Sequence, residues 1–400
     1  MPRALSNKHI PVLDGWRVIM LLMVSWYHIW QQSWLSPNLD IGEFQIHFEP
    51  FVRCGYMMVD GIILLSAFLL FLPYAAHMLE KEPLPSLKTF YVRRIARIVP
   101  SYYFYILGAV LLGAGYTSSR AMWVDIVRHV TFTHTFFKES YLFSPIMMAV
   151  WTLAIEAQAY LIFPFISRLA VKKAWLVLPM LLLGGIGYRL FVMRRFEDYA
   201  MLLNQLPAFL DVYAIGMALA LLYSWLYKKV RAKTLYQALS TMVFISLVPL
   251  LLMVLRAQGY TSGQIPIQLG QMNRRLPVAL LFGGIFVSSA LSLPFMNAIL
   301  GNRVMRFLAG ISFNYYMWHP LVAQWLKKVH IPPYTAEFPQ MAGETPWQSQ
   351  YTYLCFILAF AVAAGVTYLV EKPCNRLLQR LLLNKGGKRH ERLKDGHLSA

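Results

Sequence analysis

The stretch Asp14-Gly-Trp-Arg17-Val-Ile-Met-Leu-Leu-Met-Val-Ser-Trp-Tyr-His28 opens as the polar lip of an apolar run and closes on a histidine well inside it. Arg17 and His28 are eleven residues apart. On a helix turning about 100° per residue they share one face, about 16 Å apart along the axis. Ionisable groups inside hydrocarbon are costly and default to a functional hypothesis. Two plainer readings stand beside that one: Arg17 as an anchor that snorkels to the membrane surface, and His28 as a hydrogen-bonded packing residue.

Working outward, the same pattern recurs along the chain. Of 400 residues, 58% are hydrophobic and 14% charged, against about 25% charged in soluble domains; the mean hydropathy is +0.49. Runs of about 20 apolar residues bounded by basic clusters define an all-α polytopic transmembrane helix bundle. Ten spans are expected, near 14–35, 51–78, 98–118, 146–168, 174–193, 206–227, 236–255, 276–296, 307–327 and 351–370. Alternate connections divide the basic residues into about 25 on one side and about 12 on the other. The rich side is the cytoplasmic one, which places both termini inside. The net charge of +19 follows this distribution and does not suggest nucleic acid. Cys54, Cys355 and Cys374 lack the number and spacing of a disulfide framework or a metal site. The first apolar run has no small-residue cleavage site, so it reads as a retained helix. Residues 1–373 form the transmembrane domain, and 374–400 a basic cytoplasmic tail expected to be disordered and to touch anionic lipid.

Depth along the predicted helices brings further polar groups together. At about 1.5 Å per residue, His28 and His319 lie about 18–20 Å from the inner ends of their helices. Asp60, Glu156 and Asp211 lie about 8–15 Å below the outer face. Five ionisable groups on five helices thus reach one band and should face a shared interior, although pairs such as Asp60 with Arg53 would account for some of them. Near the inner face, Arg94 and Arg97 are i,i+3 neighbours able to present two guanidinium groups to a phosphate; the plainer reading is a topology anchor. A donor held at these arginines has to reach a band roughly 15–20 Å deeper, a span that matches a pantetheine arm. Acyl-coenzyme A fits that geometry, with an acceptor arriving from outside.

At these residues the chain resembles the acyltransferase 3 family of integral membrane acyltransferases, over roughly residues 10–373. The matching pieces are Leu13-Asp14-Gly15-Trp16-Arg17 with His28, Val59-Asp60-Gly61 followed by Leu65-Ser66-Ala67-Phe68, and Arg94-x-x-Arg97 with Pro100 and Tyr102-Tyr103. Trp151-Thr-Leu-x-Ile-Glu156, Gly310-Ile-Ser312 through Tyr316 to His319, and Glu371-Lys-Pro373 complete the set. Val18, Ala67 and Ala157 depart from the family's usual Gly, Gly and Glu. The resemblance implies a multi-pass protein of the bacterial cytoplasmic membrane that O-acylates a carbohydrate or another envelope or secreted acceptor, with no appended hydrolase-like domain in this chain. Acetyl is the expected group, with succinyl or a longer acyl as alternatives.

On that basis His28 is expected to act as general base, imidazole's unperturbed pKa of about 6.5 being close to working pH. Glu156 or Asp60 would orient it. Arg17, Arg94 and Arg97 would hold the acyl-CoA. His319, Trp151 and Tyr316 are expected at the substrate, His319 being a secondary base, a substrate contact or a packing residue. No metal is expected. A covalent acyl-histidine or acyl-tyrosine relay stands beside direct transfer. Two other classes remain: a proton- or ion-coupled transporter using the buried Asp, Glu and His, and a sensory protein without chemistry.

Overall fold

The structure is a computed structural model that describes residues 9–41, 43–113, 115–146, 149–343 and 345–383. It is helical almost throughout. In chain order come α1 (Pro11–Ser33), a hairpin of β1 (Asn38–Ile41) and β2 (Phe44–His47), α2 (Glu49–Arg53), α3 (Met58–Glu80), α4 (Leu87–Gly113), α5 (Ser119–Val130) and α6 (Lys138–Leu142). There follow α7 (Trp151–Arg195), α8 (Leu210–Arg231), α9 (Thr234–Thr261), α10 (Ile267–Ala290), α11 (Phe295–Leu300), α12 (Arg303–Lys328), α13 (Thr345–Val366) and α14 (Lys372–Leu383).

Among the described residues, six helical segments are long and apolar enough to cross a membrane: 55–80, 87–112, 151–195, 206–231, 234–261 and 346–383. Three further long helices, α1, α10 and α12, are not in that set. They carry Arg17 and His28, Arg275, and Asn314 and His319, the polar groups that lower their hydropathy. Burial sorts the apolar segments: 61% of the apolar window of α3 and of α8 is inside the protein, against 17% for α9. α3 and α8 are therefore inner helices and α9 an outer one. Their seam is close because Gly216 on α8 lies against Ala67, Leu64 and Phe68 of α3, where a Cβ would collide. The methyl that Ala67 adds is accepted by the glycine opposite it.

Residues 151–168 and 174–193, which fall in two expected spans, both lie in α7, where two helical stretches meet at a kink on one non-helical residue, Lys173 (φ −140°, ψ 54°). A basic pair, Lys172-Lys173, bends the chain without a loop. Residues 374–383, expected at the start of a disordered tail, are helical as α14. Leu377 and Leu381 alternate with Arg376 and Arg380, so the segment has the pattern of an amphipathic interfacial helix. The rest of the tail lies outside the described residues. Just before α14, Thr367–Glu371 adopt a π-helical turn. There Asn314 Nδ2 of α12 donates to Thr367 Oγ1 (2.8 Å) and Glu371 Oε2 (2.7 Å).

Candidate active site

α1 is unbroken from Pro11 to Ser33, entered through a proline at its first turn. Arg17, Leu21, Val24, His28 and Gln31 recur at spacings of three and four, so they stand on one face. That face lines two cavities in succession. Arg17 and Leu21 border the first, of about 210 Å³, and Val24, His28 and Gln31 the second, of about 270 Å³. Val59 of α3 and Tyr316 of α12 border both.

The first cavity gathers Arg17 with Arg94 and Arg97 of α4, and Glu156, Tyr160 and Thr152 of α7. Tyr160 Oη donates to Glu156 Oε2 (3.1 Å). The Arg94 guanidinium lies over the Tyr160 and Phe90 rings, 5.5 and 5.8 Å from their centroids. Three guanidinium groups and one carboxylate face this space, a net positive charge where apolar side chains such as Leu153, Ile63 and Phe313 supply the remaining wall. Glu371 lies within electrostatic reach of Arg97. With guanidinium groups outnumbering carboxylates three to one in its lining, the cavity suits an anion, and arginine forks match phosphate oxygens. The structure thus brings Arg17 together with Arg94 and Arg97 in one lining. Glu156 was expected beside His28, and the structure instead sets it among these arginines.

The second cavity holds His28 with Trp151, Tyr316, Tyr27, Tyr141 and Asn204. Tyr316 Oη is fixed at its wall, donating to Ala149 O (3.0 Å) and accepting from Thr152 Oγ1 (3.0 Å). His28 Nδ1 is 2.8 Å from His319 Nε2. His319 is wholly buried and borders neither cavity; of the three roles expected for it, this placement favours a packed partner of His28 over direct contact with a substrate. One turn earlier, Ser25 Oγ and Tyr315 Oη bridge α1 to α12 at 2.7 Å.

Asp60 has neither histidine among its hydrogen-bond partners. Its Oδ1 accepts from Arg275 Nε (3.1 Å) and Gln271 Nε2 (3.2 Å) of α10. Arg53, the partner suggested by sequence proximity, instead binds Ser262 O (2.5 Å) and lies 3.6 Å from Glu49. Asp211 is held by both terminal nitrogens of Arg189, each at 2.7 Å. Arg189 and Arg275 converge on one acceptor, Ala208 O, at 2.7 and 3.0 Å. Two carboxylates and two guanidinium groups thus close a neutral buried cluster joining α3, α7, α8 and α10. The single depth band expected from sequence resolves into three separate groups, because each aspartate has its own arginine. These pairs account for Asp60 and Asp211 as structural groups without calling on a proton relay. Arg189 and Arg275 were not anticipated; two aspartates at membrane depth were the signal that counter-charges had to exist.

Apolar outer helices thus surround an inner arginine-lined cavity that abuts a histidine-lined one, the build of an integral membrane protein with a polar interior site. The family model of acyltransferase 3, an acyltransferase domain, matches residues 10–369, and the chain belongs to that family. It is 25% identical over 345 residues to a putative acetyltransferase of Acidianus two-tailed virus, covering 84% of this chain and 91% of the relative. It is 21% identical over 402 residues to a putative O-acetyltransferase of Staphylococcus aureus strain COL (92% of this chain, 57% of the relative). Similarity to the peptidoglycan O-acetyltransferase OatA of Listeria monocytogenes is 28% over 190 residues (44% of this chain, 27% of the relative). The chain thus spans nearly all of the viral relative, but only about half and about a quarter of the other two. No solved structure matches.

Proposed function

We propose that the protein is a multi-pass O-acyltransferase of a bacterial cytoplasmic membrane, with both termini inside. It moves an acyl group, acetyl in the first instance, from cytoplasmic acyl-CoA to a hydroxyl of a carbohydrate or similar envelope or secreted acceptor. The observation that carries this reading is the pair of cavities with a shared wall. One is lined by Arg17, Arg94 and Arg97 and the other by His28, with Val59 and Tyr316 between them. The first suits the phosphate-bearing end of the donor, and the second suits chemistry on an alcohol. The O-acetyltransferase names of the staphylococcal and listerial relatives support acetyl as the group and oxygen as the acceptor atom.

In this mechanism the acceptor hydroxyl loses its proton to His28 as its oxygen bonds to the acyl carbon. The carbon–sulfur bond then breaks, and the proton passes from His28 to the departing thiolate, giving the ester and the free thiol. Arg17, Arg94 and Arg97 position the donor, and Glu156 keeps that arginine group from carrying its full repulsion.

The test uses purified protein in lipid nanodiscs with labelled acetyl-CoA and a hydroxyl acceptor. His28→Ala abolishes transfer while the protein remains folded. Arg94→Ala with Arg97→Ala raises the KM for acetyl-CoA by about tenfold or more, the loss of charge-assisted bonds being worth roughly 1.5–3 kcal/mol each. Retained transfer in His28→Ala would remove the base, and an unchanged donor KM would return the arginine pair to anchoring the helix.

A further inference from the structure

We infer that His319 is the positioning residue that fixes the tautomer of His28, so that the atom working as base is His28 Nε2. This rests on the reading of His28 as general base and adds which nitrogen acts and what sets it.

The argument is one of donors and acceptors. His319 Nδ1 is 3.1 Å from the carbonyl oxygen of Tyr315, one turn back on α12. A carbonyl oxygen only accepts, so Nδ1 of His319 carries a hydrogen. A neutral imidazole with its hydrogen on Nδ1 has a bare lone pair on Nε2. That Nε2 faces His28 Nδ1 at 2.8 Å, so His28 Nδ1 donates. The alternative, a doubly protonated His319, would bury a full positive charge in a residue with no exposed surface. No carboxylate is among the hydrogen-bond partners of either ring in the described residues, and a buried, unpaired charge is strongly disfavoured. The chain of bonds therefore runs His28 Nδ1–H to His319 Nε2, and His319 Nδ1–H to Tyr315 O. His28 Nε2 is left with its lone pair beside the cavity that His28 borders.

The surroundings hold this arrangement rigidly. The two rings are nearly parallel, 15° apart with centroids at 5.1 Å. The Tyr315 ring lies 12° from that of His319, at 5.7 Å. The Ser25–Tyr315 hydroxyl bridge locks α1 and α12 in register one turn away. His319 thus takes the place that a carboxylate holds in a hydrolase triad, but as a neutral acceptor. It orients the base and selects its tautomer without placing a negative charge in the membrane.

The experiment combines 15N-histidine NMR of the full chain in nanodiscs with steady-state transfer kinetics. In the wild type, the His28 signals show a protonated Nδ1 and an unprotonated Nε2. His319→Gln, whose side-chain oxygen sits where Nε2 was and still accepts, keeps that pattern and keeps kcat within about tenfold. His319→Leu removes the acceptor, moves the His28 hydrogen toward Nε2, and lowers kcat by at least about 100-fold with little change in either KM. A wild-type His28 protonated on Nε2 overturns the inference, as does equal loss of activity in the Gln and Leu variants. The NMR pattern reports the tautomer whether or not His28 proves to be the base. A wild-type Nδ1–H signal together with an active His28→Ala would therefore reject the catalytic reading alone.

Discussion

Asp60 and Arg275 show what a single buried residue can and cannot be read for. Asp60, inside an apolar helix, has the look of a catalytic acid, but both it and Arg275 are at most 1% exposed in their side chains and 3.1 Å apart. A buried ion pair costs about as much to desolvate as it returns, whereas a lone partner left behind costs about 3–5 kcal/mol. Arg275→Leu should therefore destabilise the protein by about that amount, read as a fall in the thermal unfolding midpoint in detergent. Adding Asp60→Leu should restore most of it, with transfer activity per folded molecule close to wild type. If the double variant regained stability but lost transfer, Asp60 would belong to the chemistry after all. His28 and Arg17 were legible because α1 carries both on one face. The true partners of His28 and Asp60 were not, since each lies more than 200 positions away, and depth along a helix says nothing about azimuth.

At the scale of elements, the long helices were legible from hydropathy, and their connections were not. The segment 119–145, expected as an outer connection between two spans, contains α5 and α6. α5 buries two polar residues and exposes two apolar ones: Asp125 and His129 are inside, while Trp123 and Val127 are 62% and 58% exposed. A hydropathy average conceals this inversion. His129 stacks on His134 with ring centroids 4.1 Å apart and planes 4° apart. Asp125 Oδ1 is 3.3 Å from His129 Nδ1, and Oδ2 accepts from Tyr116 and Ser144. Burial, together with the neighbouring His129, pushes His134 from imidazole's usual 6.5 down to about 3. Burial alone would raise the Asp125 carboxyl, but His129 and the two hydroxyls outweigh it and hold it well below the usual carboxylate range. Between pH 6.5 and about 3 the unfolded chain binds a proton that native His134 refuses, so stability falls on acidification through that window. The slope approaches about 1.4 kcal/mol per pH unit for one proton. Asp125 adds a loss in the same direction at still lower pH. Unfolding midpoints at pH 7 and pH 5 should differ clearly in the wild type, and much less in His134→Phe, which keeps a stacked ring but cannot take up a proton. Equal pH sensitivity in the two proteins would assign the effect to other groups.

At the scale of the whole molecule, the proposed reaction needs one continuous route from the arginines to His28, about 16 Å along α1. The two cavities are consecutive along that helix, and Tyr316 and Val59 border both. Tyr316 is tied to Ala149 and Thr152 by its hydroxyl, whereas Val59 presents only a small apolar side chain. Enlarging Val59 should therefore obstruct the passage with little effect on either end. Val59→Trp has empty volume on both sides to occupy, so the usual overpacking cost of about 1–3 kcal/mol should fall at its lower end. Transfer to the acceptor should drop by about 100-fold, because an acyl carbon held even 1 Å out of line loses roughly that much rate. Binding of acetyl-CoA should fall much less than transfer, since Arg17, Arg94 and Arg97 are untouched. Val59→Ala, which widens the boundary, should transfer at least as well as wild type and should accept longer acyl groups more readily. Transfer by Val59→Trp at the wild-type rate would mean that the acyl group does not pass between these cavities, and that the two spaces serve separate ligands.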